Sequence, residues 1–358
     1  MDHPNQYKHH IYYMDFLRLI ACILIVLVHV SAMNWDDVSV RSSAWQTMNI
    51  YDCLGIMGVP LFIMLSGALM LRADYSVSIR KILGKTFALF IVYHVWLLFY
   101  NFVDFVKEGY SFSLYEMKEY LILPTMRGQG IYHLWFLPVL MVLYLLVPIL
   151  KAAFSSKKIC EYYLALYVIL GLLIPTLLLF EFPYKYLLMD YYNRTSFVML
   201  TGYIGYFVAG HYIHSFVKPL TKKGKIMTAA AVLICYALTV VVCSMDALQK
   251  DAPSVILNNP LAITDYIATV GIYLLLRDAG MSRGQKESPR WLSCMSGLTF
   301  GIYLVHPFVL EILSGIGLTT LIPHPILMIP VMTVVVFMIS GVISLLLQKL
   351  PVIGKYIV

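Results

Sequence analysis

The chain has 358 residues, 60% of them apolar and only 13% charged, with a mean hydropathy of +0.79. Soluble domains carry roughly 45–50% apolar and about 25% charged residues, so this composition excludes an ordinary soluble fold, a disordered tail, a fibre or a nucleic-acid binder. The formal net charge of +7 acquires a meaning only once the charges are located.

A membrane-spanning helix needs about 20 predominantly apolar residues. Runs of that kind predict an all-α, polytopic membrane protein, a single domain over 1–358 with about ten spans, at roughly 11–33, 48–71, 82–103, 132–151, 162–181, 197–217, 226–245, 260–276, 294–316 and 324–347. The runs are continuous rather than alternating, which excludes a β-barrel. The first has no small-residue cleavage site after it and reads as a retained anchor. After the third run comes a long connector, 104–131, in which SLYEMKEYLIL (113–123) reads as an amphipathic or re-entrant helix ending at Pro124. Segment 277–293 is a polar, basic loop. Six Cys form no CxxC pair, and most sit in apolar runs as small hydrophobes.

Lys and Arg set the orientation. With a cytoplasmic N-terminus, the alternating loops place 18 of the 26 inside and 7 outside, and Arg18 lies within the first helix. That split predicts both termini in the cytoplasm.

Ionisable groups in the bilayer core are costly, so each is a functional candidate. Asp15, Arg18, Cys22 and His29 stand at i, i+3, i+7 and i+14 and share one face of the first helix. Arg18 and His29 are separated by about 16 Å at ~1.5 Å per residue, which puts Arg18 near the cytoplasmic surface and His29 in the outer half. Taken singly, Arg18 also reads as a snorkelling partner of Asp15, and His29 as a helix–helix hydrogen bond. His306 lies inside the ninth run, GIYLVHPFVLEIL, with Thr299 and Tyr303 on its face. His133 and Trp135 open the fourth run, where an aromatic-belt anchor is the plainer reading. His94 and Asn101 read as packing glue between helices. No HxxxH, HExxH, Walker or GxGxxG pattern occurs, so no metal is expected.

Four blocks carry a resemblance. YYMDFLRLIACILIVLVHVSAMN (12–34) resembles the Asp-x-x-Arg…His first helix of the integral-membrane acyltransferases known as acyltransferase type 3. GVPLFIMLSGALML (58–71), HLWFLPVLMVLYLLVP (133–148) and GIYLVHPFVL (301–310) are similar to that family's later segments and follow in the same order. The compact form, without an added domain, is similar to the enterobacterial-common-antigen O-acetyltransferase sub-group. The chain departs from the family in LRADYSVSIRKILGK (71–85), which lacks an Arg-rich run, and in PVLMVLY (138–144), which lacks the acid many members carry.

The resemblance implies a bacterial cytoplasmic-membrane enzyme. It would move an acyl group, acetyl from acetyl-CoA, from the cytoplasm to a hydroxyl of a cell-surface or lipid-linked glycan. The family's Arg and His fall on Arg18 and His29, and its basic cluster falls on Arg72, Arg80, Lys81 and Lys85. These cations with Arg18 would hold the coenzyme A phosphates, because guanidinium and ammonium groups suit phosphate. The pantetheine arm would thread along the first helix, and neutral His29 would take the proton of the attacking hydroxyl. Asp52 is a candidate orienter. His306, His133, Tyr303 and Trp135 would shape the acceptor pocket or stabilise the oxyanion. The implied partners are the bilayer and the glycan acceptor, with oligomeric state open. The alternative is a transporter of a serine-like small molecule, which shares the Arg–His helix; against it, no inverted repeat or pair of broken helices is visible.

Overall fold

The apolar runs become helices because a backbone in hydrocarbon has to satisfy its own N–H and C=O groups. The computed structural model describes residues 11–75, 78–282 and 288–350; Lys8, Arg283, Lys286 and Lys355, used above for orientation, lie outside the described residues. The described residues form an all-helical array. In chain order the main helices are α1 (Tyr12–Ser31), α2 (Ser43–Gly55), α3 (Gly58–Met70), α4 (Ile79–Lys107), α5 (Phe136–Ala153), α6 (Lys157–Leu177), α7 (Lys185–Arg194), α8 (Ile204–Phe216), α9 (Lys222–Lys250), α10 (Ile263–Ser282), α11 (Arg290–Gly315) and α12 (Pro325–Gln348).

Eight segments among the described residues are long and apolar enough to cross a membrane: α1, α2 with α3 as one broken span, α4, α5, α6, α9, α11 and α12. The other two of the ten expected runs are helices of a different kind. One is α8, only 13 residues long; the other is α10, which carries Asp265, Arg277 and Asp278. Protein rather than lipid surrounds their polar groups. Arg277 and Asp278 are both buried and joined at 2.7 Å, and Arg277 Nη1 donates to the carbonyls of Ile213 and Val217 at 2.7 and 3.0 Å, closing the end of α8. Pairing and these further hydrogen bonds offset the cost of burying the two charges, which lie just beyond the apolar run 260–276 read from the sequence.

Helix α1 is the centre of the array, packing against α2, α3, α10, α11 and α12. The periphery is marked by α9, whose Leu233, Ile234, Leu238 and Val241 are exposed, as lipid-facing side chains should be. The closest helix contact joins α3 to α8. A Cβ at Gly67 would stand 1.8 Å from the carbonyl oxygen of Phe207, and one at Gly210 would stand 1.9 Å from that of Met64. Each glycine therefore lets the other helix's backbone pass, the small-residue packing by which membrane helices associate.

The connector between α4 and α5 is helical over 114–126, so it runs through Pro124 instead of ending there. A π-turn, Met117–Ile122, precedes the proline. The same device recurs in α6, where a π-turn, Tyr167–Leu173, precedes Pro175. Proline supplies no N–H and crowds the preceding turn, and a widened turn accommodates both faults. Asn101, on α4, donates from Nδ2 to Thr125 Oγ1 and the Gln129 carbonyl, each at 2.9 Å, fastening this connector in the packing role expected of it.

Candidate active site

Two cavities lie against α1, at opposite ends. The larger, about 1030 Å³, follows α1 from Asp15 and Arg18 to Ile25 and is closed at depth by Phe136, Thr299 and Tyr303. Arg72, Asp74, Tyr75 and Lys85 line its mouth. The smaller, about 250 Å³, is lined by His29, Met33, Ile131, Tyr132, Pro307, Leu310, Glu311 and Ser314. The two share no lining residue.

Between them lies a layer of rings. His29 packs on His306 with centroids 5.1 Å apart and planes 24° apart, and on Tyr132 at 5.1 Å. His306 meets His133 at 5.5 Å, and His133 meets Tyr303 at 5.5 Å. The layer therefore starts at a wall of the larger cavity, Tyr303, and ends at a wall of the smaller one, His29. Two hydrogen bonds fix it: Tyr303 Oη donates to the His133 carbonyl and Tyr100 Oη to the Leu304 carbonyl, both at 2.7 Å.

Arg18 is held from below by α1 and α11. Its Nη1 donates to Asp15 Oδ1 at 3.2 Å and to Ser296 Oγ at 2.9 Å, while Ser296 donates to the same carboxylate oxygen at 2.8 Å. Ser288 Oγ donates to Asp15 Oδ2 at 2.5 Å. Asp15 is buried, so these donors supply what water would otherwise give it. The pairing with Asp15 anticipated from the i, i+3 spacing is present, and the Arg18 side chain, 29% exposed, still reaches the cavity.

The remaining candidates separate. Arg72 and Lys85 line the cavity mouth; Arg80 and Lys81 are exposed at the start of α4 and do not line it. His133, His306 and Tyr303 form the ring layer. Trp135 is 41% exposed and packs on Tyr203 at 5.3 Å, outside both cavity linings. Asp52 is buried, with Oδ1 accepting from Ser31 at 3.1 Å and Oδ2 accepting from Asn258 Nδ2. Both of its oxygens are thus engaged away from His29, and it braces the end of α1 through Ser31. No group of three or more His, Cys, Asp or Glu is arranged to hold a metal ion among the described residues.

Three residues were passed over in the sequence. Lys151 donates from Nζ to the carbonyls of Arg72 (2.8 Å) and Tyr75, and so staples the cavity mouth. Glu311 lines the smaller cavity and forms an ion pair with Lys107. Tyr132 is that cavity's aromatic wall. Glu311 alone had a legible signal, being the one carboxylate in GIYLVHPFVLEIL.

A family model described as an acyltransferase domain matches residues 11–345. No curated protein and no solved structure is a significant match to the chain.

Proposed function

Because the chain belongs to this membrane acyltransferase family and is an acyltransferase, we propose that it carries an acyl group from cytoplasmic acyl-CoA to a hydroxyl of a surface or lipid-linked glycan. Acetyl is the group we assign, the bacterial cytoplasmic membrane the site, and the compact O-acetyltransferase sub-group the kin. The observation that carries this reading is the pair of cavities separated by one layer of rings, one with a cationic mouth and one containing His29.

In this scheme the larger cavity opens to the cytoplasm. Arg72, Lys85 and the Nε and Nη2 of Arg18 meet the coenzyme A phosphates, where charge-assisted and bidentate bonds are strongest. Its depth suits the slender pantetheine arm, which delivers the thioester to the ring layer. The acceptor occupies the smaller cavity from the outer side, its ring against Tyr132. His29 takes the hydroxyl proton as oxygen bonds to the thioester carbon; the carbon–sulfur bond then breaks, and the proton returns from His29 to the leaving thiolate. The imidazole stays neutral between turnovers, and no acyl-enzyme is required. A His133 N–H beside the reacting carbonyl serves the oxyanion. Arg80 and Lys81 contribute long-range attraction for an anionic donor.

The test is donor binding and use. Purified protein should bind radiolabelled acetyl-CoA, and Arg18→Ala should raise the KM for acetyl-CoA about tenfold or more, as loss of a charge-assisted contact of ~1.5–3 kcal/mol predicts. An unchanged KM and kcat in that variant would remove Arg18 from the donor site. Family membership speaks against the transporter reading, and substrate-stimulated uptake into proteoliposomes without coenzyme A would revive it.

A further inference from the structure

His29 acts as a base in the reading above, and a histidine base works best when a third group holds its second nitrogen. In many enzymes that group is a carboxylate. Here the carboxylates near α1 are committed elsewhere: Asp15 to Arg18, Ser288 and Ser296, and Asp52 to Ser31 and Asn258. The ring neighbours of His29 are Tyr132 and His306.

The dipeptide His306-Pro307 fixes the chemical state of its own histidine. Pro307 lies inside α11 and has no N–H, so the carbonyl of Tyr303, one turn earlier, loses its ordinary helical donor. His306 Nδ1 stands 2.8 Å from that carbonyl oxygen and 3.2 Å from that of Ile302. Both partners are acceptors only, so Nδ1 carries the hydrogen and fills the gap that the proline leaves. In the neutral ring, Nε2 is then a bare lone pair. His306 is fully buried, and its Nε2 has no hydrogen-bond partner. Native structures rarely leave a buried polar atom unpaired without a reason.

We infer that His306 is the positioning residue of His29: its Nε2 lone pair accepts the N–H of His29, leaving the other nitrogen of His29 free to face the acceptor hydroxyl. Ring centroids 5.1 Å apart with planes 24° apart place the two imidazoles against each other, and a change of ring orientation converts that contact into an N–H···N bond. Such bonds commonly tighten only when substrate is bound. No proton passes to His306. It fixes the tautomer of His29 and receives the N–H more strongly once His29 becomes imidazolium, a task for which a carboxylate is the usual choice. An uncharged acceptor does it without burying another anion.

This inference rests on His29 being the base, and the experiment separates the two. The full-length protein in lipid, labelled with [15N]histidine, is studied by solid-state NMR, with His306→Gln used to assign the signals. His306 should appear with Nδ1 protonated and Nε2 bare; a protonated Nε2 overturns the inference whatever the activity. In membranes supplied with [14C]acetyl-CoA, label transfer to the membrane fraction should fall about 100-fold in His306→Leu with an unchanged KM for acetyl-CoA. His306→Gln, whose amide oxygen can occupy the place of Nε2, should recover most of it. Full activity in His306→Leu beside an inactive His29→Ala overturns the positioning role, as does failure of a folded Gln variant to rescue. An active His29→Ala overturns the underlying reading instead, and the NMR result still stands on its own.

Discussion

Replacement of His29 by alanine is expected to reduce acyl transfer by at least 100-fold while leaving a folded protein that still binds acetyl-CoA. General-base catalysis contributes roughly 10²–10⁴-fold, and no other imidazole lines the smaller cavity. The donor side should be untouched, because His29 is absent from the lining of the larger cavity. The measurement is label transfer from [14C]acetyl-CoA alongside acetyl-CoA binding by the same preparation. Retained transfer would show that the base lies elsewhere; lost transfer together with lost donor binding would show that His29 holds structure rather than a proton.

The second large effect concerns the fold. Gly67→Val should be destabilising at or beyond the upper end of the roughly 1–3 kcal/mol typical of overpacking, because the obstructing atom is a backbone oxygen that no rotamer change can move. Even a Cβ would stand 1.8 Å from the Phe207 carbonyl, so α3 and α8 would have to separate. Gly297→Ala is the control, since nothing lies within 4 Å of a Cβ there. Thermal unfolding of the detergent-solubilised variants, followed by gel filtration, should show early loss of Gly67→Val and little change in Gly297→Ala. Equal behaviour of the two would mean that the α3–α8 contact is dispensable. Activity should follow stability, because α3 carries Phe62, Ser66, Leu69 and Met70 of the larger cavity wall.

Much of this architecture was legible in the sequence because lipid imposes a strong rule: where helices face hydrocarbon, length and hydropathy reveal them. The rule weakens where helices face protein. Thus α8 is short and α10 keeps Arg277 and Asp278, whose compensating partners, the Ile213 and Val217 carbonyls, lie some sixty residues away in the chain. Pro124 misled for a local reason, since a π-turn carries the helix through a residue that ordinarily stops one. At the site, the face shared by Asp15, Arg18 and His29 followed from helical spacing alone. The split among the four cations after α3 did not, because it depends on how the connector folds: Lys151, on another helix, holds the Arg72 and Tyr75 carbonyls. The partnership of Lys107 with Glu311 was hidden for the same reason, the two lying on helices far apart in sequence.

In the proposed scheme, two chambers that share no lining residue also set the kinetic order of the reaction. Neither substrate has to leave before the other arrives, so initial rates should give intersecting double-reciprocal lines, the signature of a ternary complex, rather than the parallel lines of a ping-pong cycle. Free coenzyme A should then compete with acetyl-CoA for one chamber and be unable to displace the acceptor from the other. Under that proposal the enzyme would be slowed by the acylation state of the cytoplasmic coenzyme A pool while its outward-facing site remained filled, so that control of surface modification would be exercised from inside the cell.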